Sequence, residues 1–226
     1  MKKIEFNKKF DCVICLDGEP PDAEVFNLLE NIPILAADGA AFYLDKMGLT
    51  PHKIIGDLDT FSKKCTTIDS FSTDQIVHIS DQETNDFEKV LKYAIENNYN
   101  NCLILGINGG EFEHSLNNWS VLIRYSNYLN LCVLTKKRYS FLVNENICIK
   151  LIPGEIISLI PQPVVTLSTK NLVWELQNES LSLGFREGAR NCAKHEDIYI
   201  NIHFGNLLLC IEERLPYYPS FSKYFT

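Results

Sequence analysis

The chain has 226 residues, enough for one large domain or two modest ones around a buried core. Hydrophobic residues make up 46% and charged residues 22%, with no apolar run long enough to span a membrane, which points to a globular protein with no membrane span. The formal net charge of −8, from 29 acidic against 21 basic residues, argues against a nucleic-acid groove and admits an anionic substrate only beside a cation.

The opening MKKIEFNKKFD is basic but meets Glu5 and Asp11 with no apolar stretch between, so it does not read as a secretory signal. The expected compartment is the cytoplasm. Short apolar runs then predict strands at CVICL (12–16), ILAA (34–37), KIIG (53–56), QIVHI (75–79), CLILG (102–106) and LCVLT (131–135). Helical patterns fall between them, at 23–30, 40–47, 84–97 and 113–126. In TNDFEKVLKYAIEN, Phe87, Val90, Leu91, Ala94 and Ile95 recur at helical spacing, and Asn85 followed by Glu88 resembles a capping box. Continuous apolar strands alternating with helices predict a three-layer α/β domain with a mostly parallel sheet. The eight cysteines sit mostly in apolar runs and read as reduced core thiols. Cys12 and Cys15 form a C-x-x-C inside a predicted strand, without the second pair a zinc site needs.

Beyond about residue 140 the texture becomes short, alternating and turn-rich, as in FLVNENICIKLIPGEIISLIPQPVVTL. This predicts an antiparallel β-sandwich of seven or eight strands. The expected domains are 1–140 and 141–226, with the boundary near Tyr139 to Asn144. The tail LPYYPSFSKYFT is aromatic and broken by proline, and reads either as a docked segment or as a mobile one.

Three of the predicted strands run into polar loops: ILAA into Asp38-Gly39, KIIG into Asp57-Leu58-Asp59, and CLILG into Ile107-Asn108-Gly109-Gly110. Ligands of open α/β sheets bind beyond the carboxyl ends of the strands, so Asp38, Asp57 and Asp59 are expected at one rim. In extended backbone, positions i and i+2 face the same way, which presents Asp57 and Asp59 to one spot. A lone D-x-D is commonly a solvated turn. Asp38 at a neighbouring strand end favours a cation instead, and hard oxygen ligands suit Mg²⁺ bridging substrate phosphates. Asp86 and Lys89 share a face of the following helix, although the macrodipole alone also favours an acid in its first turn. Gly109 and Gly110 allow close backbone approach to a ligand, or simply turn the chain tightly from strand to helix. His114 either donates to a phosphate or caps that helix. Neither a P-loop nor a G-x-G-x-x-G pattern is present.

In order and spacing these segments resemble the thiamine pyrophosphokinase family. DGAA (38–41), GDLDT (56–60), DQETNDFEK (81–89) and GINGGEFEH (106–114) match its D-G-G-A, G-D-F/L-D-S, D-Q-D-x-T-D-x-x-K and G-x-x-G-G-R-x-D-H motifs. NLVWELQNESLSLG (171–184) and LDGEPP (16–21) resemble the family's β-domain stretch and its opening N-G-E-x-P. The resemblance implies transfer of a diphosphate from ATP to the hydroxyl of thiamine, releasing AMP. It implies Mg²⁺ held by Asp38, Asp57, Asp59 and Asp86, with Asp57, Asp59, Asp86 and Lys89 as catalytic residues. Gln82, Lys89, Gly109, Gly110 and His114 are then expected to hold ATP. Either Asp59 or Asp86 accepts the alcohol proton. The first domain would carry ATP and Mg²⁺, and the second would carry thiamine through Trp174 and Asn191. A homodimer with sites between subunits is implied, and neither a nucleic acid nor a membrane is an expected partner. Alternation alone places Leu172, Trp174 and Leu176 on one apolar face and reads as core; it is the resemblance that turns Trp174 toward a cationic thiazolium.

Several positions depart from the family pattern. Glu111 stands in place of arginine and Arg190 in place of a small serine. Milder changes are Asn85 for threonine, Glu83 and Glu113 for aspartate, Ala40 for glycine and Thr60 for serine. Arg190 motivates a changed acceptor as an alternative, and Glu111 a non-catalytic nucleotide- or thiamine-binding paralogue.

Overall fold

In the computed structural model, which describes residues 1–58 and 71–223, the apolar runs of the first half each become a strand of a parallel sheet. Contacts group residues 10–136 in one compact unit and residues 1–9 with 137–226 in a second. The second unit therefore takes in the chain's opening strand, β1 (Lys2–Glu5), which a division at 140/141 assigns to the first. Nothing in KKIE announces its partners, because strand pairing is set by distant segments.

The first unit runs β2 (Cys12–Cys15), α1 (Ala23–Leu28), β3 (Ile34–Ala37), α2 (Ala40–Lys46), β4 (Lys53–Gly56), β5 (Ile76–His78), α3 (Asp86–Glu96), β6 (Asn101–Leu105), α4 (Phe112–Tyr125) and β7 (Asn130–Thr135). The sheet order is β7-β6-β2-β3-β4-β5, with every neighbouring pair parallel. The chain enters at β2, steps outward to β5, and returns to β6 on the other side of β2. Strand order thus reverses between β2 and β6, the position where such sheets open a ligand crevice. Every residue of β2 is buried, as both faces of the sheet are covered.

Helix α3 buries Phe87, Val90, Leu91 and Ala94 against the sheet. Each of the larger side chains contributes about 1.5–3 kcal/mol of burial. Ile95, expected on this face, is exposed instead; it lies one helical step past Ala94, outside the apolar stripe. Only half of the expected capping box forms. Asn85 accepts from the Glu88 backbone N–H at 2.9 Å, whereas the Glu88 carboxylate accepts from the Tyr125 hydroxyl at 2.9 Å and pairs with Arg124 at 3.3 Å.

In the second unit β1 joins β8 (Arg138–Val143), β9 (Ile147–Lys150), β10 (Ile156–Lys170), β11 (Glu179–Ser182), β12 (Gly188–Cys192), β13 (Asp197–Glu212) and β14 (Ser220–Lys223). The long strands β10 and β13 pair antiparallel, with register shifts between Pro161 and Val165 and between Thr166 and Leu167. Gly205 faces Val165 there with φ +82°, and a Cβ on it would collide with the Val164 carbonyl. On one side of the shifts β10 also pairs with β12 and β13 with β8; on the other, the partners are β11 and β9. Two bent strands thus serve two sets of neighbours, the sandwich-like arrangement expected from the alternating sequence. One pair departs from antiparallel order: β1 runs parallel to β9. The aromatic tail docks as β14 on β1, with Tyr218 buried.

Candidate active site

The carboxylates come from three segments. Asp38 leaves β3 with φ +29°, a region Asp tolerates better than most residues, and its N–H donates to Ile55 O of β4 at 2.9 Å. Asp57 follows the last residue of β4, and Asp86 opens α3. One oxygen from each of Asp38, Asp57 and Asp86 lies within 4.8 Å of the others. Gly56 makes room for this convergence, since a Cβ there would sit 2.9 Å from Asp38 Cβ and 3.2 Å from an Asp86 oxygen. Asp59, expected in the same cluster, lies outside the described residues, as does Thr60.

Lys89 closes the cluster on the protein side. Its side chain is 2% exposed, and Nζ lies 3.2 Å from Asp57 Oδ2 and 3.1 Å from Asp86 Oδ1. Burial by itself would depress the ammonium, but hydrogen bonds and charge from Asp86 and Asp57 outweigh it and hold Lys89 above the usual lysine range. Burial raises the Asp86 carboxyl; Lys89 opposes that shift, and the charges of Asp57 and Asp38 add to it. Three carboxylates against one ammonium leave an excess of negative charge, which a divalent cation with hard oxygen ligands would match. Gln82 donates to Asp57 Oδ2 at 3.2 Å.

A cavity of about 350 Å³ opens here, lined by Asp57, Asp86, Lys89, Gly109, Gly110 and His114. The loops after β4 and β6 and the first turns of α3 and α4 therefore meet as the strand-end pattern anticipated. The amino end of the 14-residue α4, which no side chain caps, adds first-turn backbone N–H groups and the positive end of its dipole. Glu111 is the N-cap residue of α4, and its carboxylate lies 3.5 Å from His114 Nε2, both side chains being largely exposed. The acid at the arginine position thus lies beside the local histidine and is not among the residues lining the cavity.

Asp17 and Gly18, part of the LDGEPP motif but given no role from sequence, line the same cavity together with Asn117 and Asn118, which no motif singled out. Asp17 was legible by the rule applied to the other strands, since CVICL also ends in Asp-Gly at the switch point. Asn118 accepts from the Asn85 amide at 3.1 Å, linking the starts of α3 and α4; no local pattern announces such a cross-helix pair.

Trp174 and Asn191 belong to the second unit and line a different cavity, of about 360 Å³, together with Arg186 and Arg190. Trp174 is 64% exposed, whereas Leu172 and Leu176 are buried. The alternation that predicted a core tryptophan fails because residues 171–176 form no strand beyond a single bridge, Leu172 with Ala193.

Comparison with known proteins bears on the family and the fold. A family model described as "Thiamin pyrophosphokinase, catalytic domain" matches residues 27–133. Thiamine pyrophosphokinase 3 of Oryza sativa subsp. japonica is 33% identical over 166 residues, covering 67% of this chain and 62% of that protein. Thiamin pyrophosphokinase 1 of Caenorhabditis elegans is 27% identical over 192 residues, covering 76% of each. The chain spans about three fifths of the length of the rice relative. Among solved structures, thiamine pyrophosphokinase from Bacillus subtilis superposes with a TM-score of 0.75 at 19% identity, over 90% of this chain and 100% of that one. The yeast enzyme gives 0.74 at 19% identity, over 91% and 87%. These last two establish the fold. Matched by the family model across the loops that carry the carboxylate cluster, the chain belongs to the thiamine pyrophosphokinase family.

Proposed function

We propose that the chain transfers a diphosphate group from ATP to the hydroxyl of thiamine, giving thiamine diphosphate and AMP. The observation that carries this reading is the meeting of Asp38, Asp57 and Asp86 around buried Lys89, in a cavity at the switch point of a family member's sheet. Asp38, Asp57 and Asp86, with Asp59, would hold Mg²⁺, which when bound neutralises and polarises the phosphates. Lys89 supplies a fixed cation toward the triphosphate. Gly109, Gly110 and the α4 amino end supply backbone N–H groups, His114 a donor at the rim, and Gln82 steadies Asp57. The alcohol attacks the β-phosphorus in line, so positioning and charge neutralisation carry most of the rate. Asp59 or Asp86 takes the alcohol proton. Trp174 offers an exposed indole face to the cationic thiazolium, with Asn191 beside it.

The reading extends to a cytoplasmic homodimer with sites between subunits. Exposed Phe185 and Phe204 in the second unit fit burial against a second copy, and the free cysteines fit a reducing compartment. No helix among the described residues is long and apolar enough to cross a membrane.

Arg190 in the Trp174 cavity motivates a second reading, a diphosphokinase whose acceptor carries an anionic group. Incubation of purified protein with ATP, Mg²⁺ and thiamine separates the two. AMP and thiamine diphosphate in equal amounts support the first. AMP only with another alcohol supports the second, and bound nucleotide without AMP rejects both.

A further inference from the structure

We propose that Asn191 is a positioning residue that holds the Trp174 loop in place, so that its effect on the acceptor passes through the indole; this rests on reading Trp174 as the thiamine platform. Asn191 lies in β12 and is 6% exposed. Its Oδ1 accepts from the Trp174 backbone N–H at 3.2 Å and from the Cys192 N–H at 2.8 Å. Its Nδ2 donates to the Trp174 carbonyl at 2.7 Å. Of the four hydrogen-bonding positions of an amide, only one N–H is left for anything else.

The ends of the loop are held separately, by Asn171 Nδ2 donating to Asp197 O at 2.7 Å and by the Leu176 N–H donating to the Thr169 hydroxyl at 2.9 Å, which leaves Trp174 at its middle to the Asn191 clasp. Besides the Leu172–Ala193 bridge, it is tied to β12 by the Val173 N–H donating to Cys192 O at 2.9 Å. One buried side chain thus satisfies both backbone polar groups of Trp174, the residue whose own side chain is turned out to solvent. Leu172 and Leu176 anchor the loop on either side, and the Asn191 amide fixes the backbone between them. A ring held ready loses less conformational entropy when a ligand stacks on it. Asn191 therefore contributes to acceptor affinity by preorganising Trp174.

The test uses Trp119→Phe as background, leaving Trp174 as the one tryptophan of the chain. Thiamine binding is read by quenching of Trp174 emission, and turnover by separate KM values for thiamine and ATP. Asn191→Ala is expected to raise the thiamine KM about tenfold, equivalent to about 1.4 kcal/mol, and to leave the ATP KM within about twofold. When Trp174 is also replaced by alanine, Asn191→Ala is expected to change the thiamine KM by less than about twofold, since the group it acts through is gone. An equal loss from Asn191→Ala with and without Trp174 overturns the proposal in favour of direct contact, as does an unchanged thiamine KM. Should Asn191→Ala fail to fold, Asn191→Asp keeps the accepting oxygen and regains the donor on protonation. Its thiamine affinity is then expected to approach wild type as pH falls, and a constant ratio to wild type overturns the proposal. Absence of quenching by thiamine in the unsubstituted protein rejects the thiamine reading alone. Hydrogen exchange at the Val173 and Trp174 amides then decides: faster exchange in Asn191→Asp upholds the clasp, and unchanged exchange overturns it.

Discussion

Lys89 answers for the stability of an otherwise repulsive cluster. With its side chain 2% exposed and two carboxylates about 3 Å away, it is the internal counterion of the carboxylate cluster. Replacing it by methionine is expected to cost about 2 kcal/mol in metal-free buffer, because Asp57 and Asp86 then face each other unneutralised. Mg²⁺ should recover much of that loss, while turnover falls at least about a hundredfold. Thermal unfolding in EDTA and in Mg²⁺ measures the first effect, and AMP release the second. Asp57→Ala and Asp59→Ala should each abolish turnover and leave the circular dichroism of the fold unchanged. At this scale the sequence was legible where a residue ends an apolar strand, as for Asp38 and Asp57. It was illegible where a side chain serves a distant backbone, as Asn191 does for Trp174, because no local period encodes such a bond.

Among the elements, α3 joins core and site: Phe87, Val90, Leu91 and Ala94 anchor it while Asp86 and Lys89 project from its first turn. Leu91→Ala is expected to destabilise by about 2–5 kcal/mol, read from the urea midpoint, and to reduce turnover by loosening that turn. In the second unit the Arg214 guanidinium lies 2.6 Å from the buried Glu155 carboxylate, so Arg214→Met strands a charge and should cost about 3 kcal/mol in the same assay. Strand β2 carries the C-x-x-C. Burial pushes the Cys15 thiol up to about 12, and the hydrogen bond with Cys102 together with burial raises Cys12 well above the ordinary value. Both thiols therefore stay protonated near neutral pH. Alkylation at pH 8 followed by peptide mapping should leave Cys12, Cys15 and Cys102 unmodified until the protein is unfolded. The strands of the parallel sheet were readable because burial on both faces writes an unbroken apolar run. The Trp174 loop alternates like a strand, yet it is held by side-chain bonds, and the pattern misled there. The capping box at α3 was half legible, since Glu88 finds Tyr125 and Arg124 as partners from a helix remote in sequence.

For the molecule as a whole, a net charge of −8 repels a polyphosphate at long range, so under the proposed function binding would depend on what gathers at one strand-end cavity. The repeating strand–helix order made the α/β unit and its switch point predictable. The place of β1 was not predictable, because its pairing with β9 and β14 joins segments more than a hundred residues apart. KKIE carries no apolar run, so the sequence marks neither the strand nor its neighbours. The most direct measurement is a Mn²⁺ titration, followed by electron paramagnetic resonance, of the unsubstituted protein and of Asp38→Asn, Asp57→Asn and Asp86→Asn. Tight binding that each substitution weakens by at least about tenfold is the predicted result. Binding that is absent from the unsubstituted protein, or unmoved by all three substitutions, would contradict a shared divalent site.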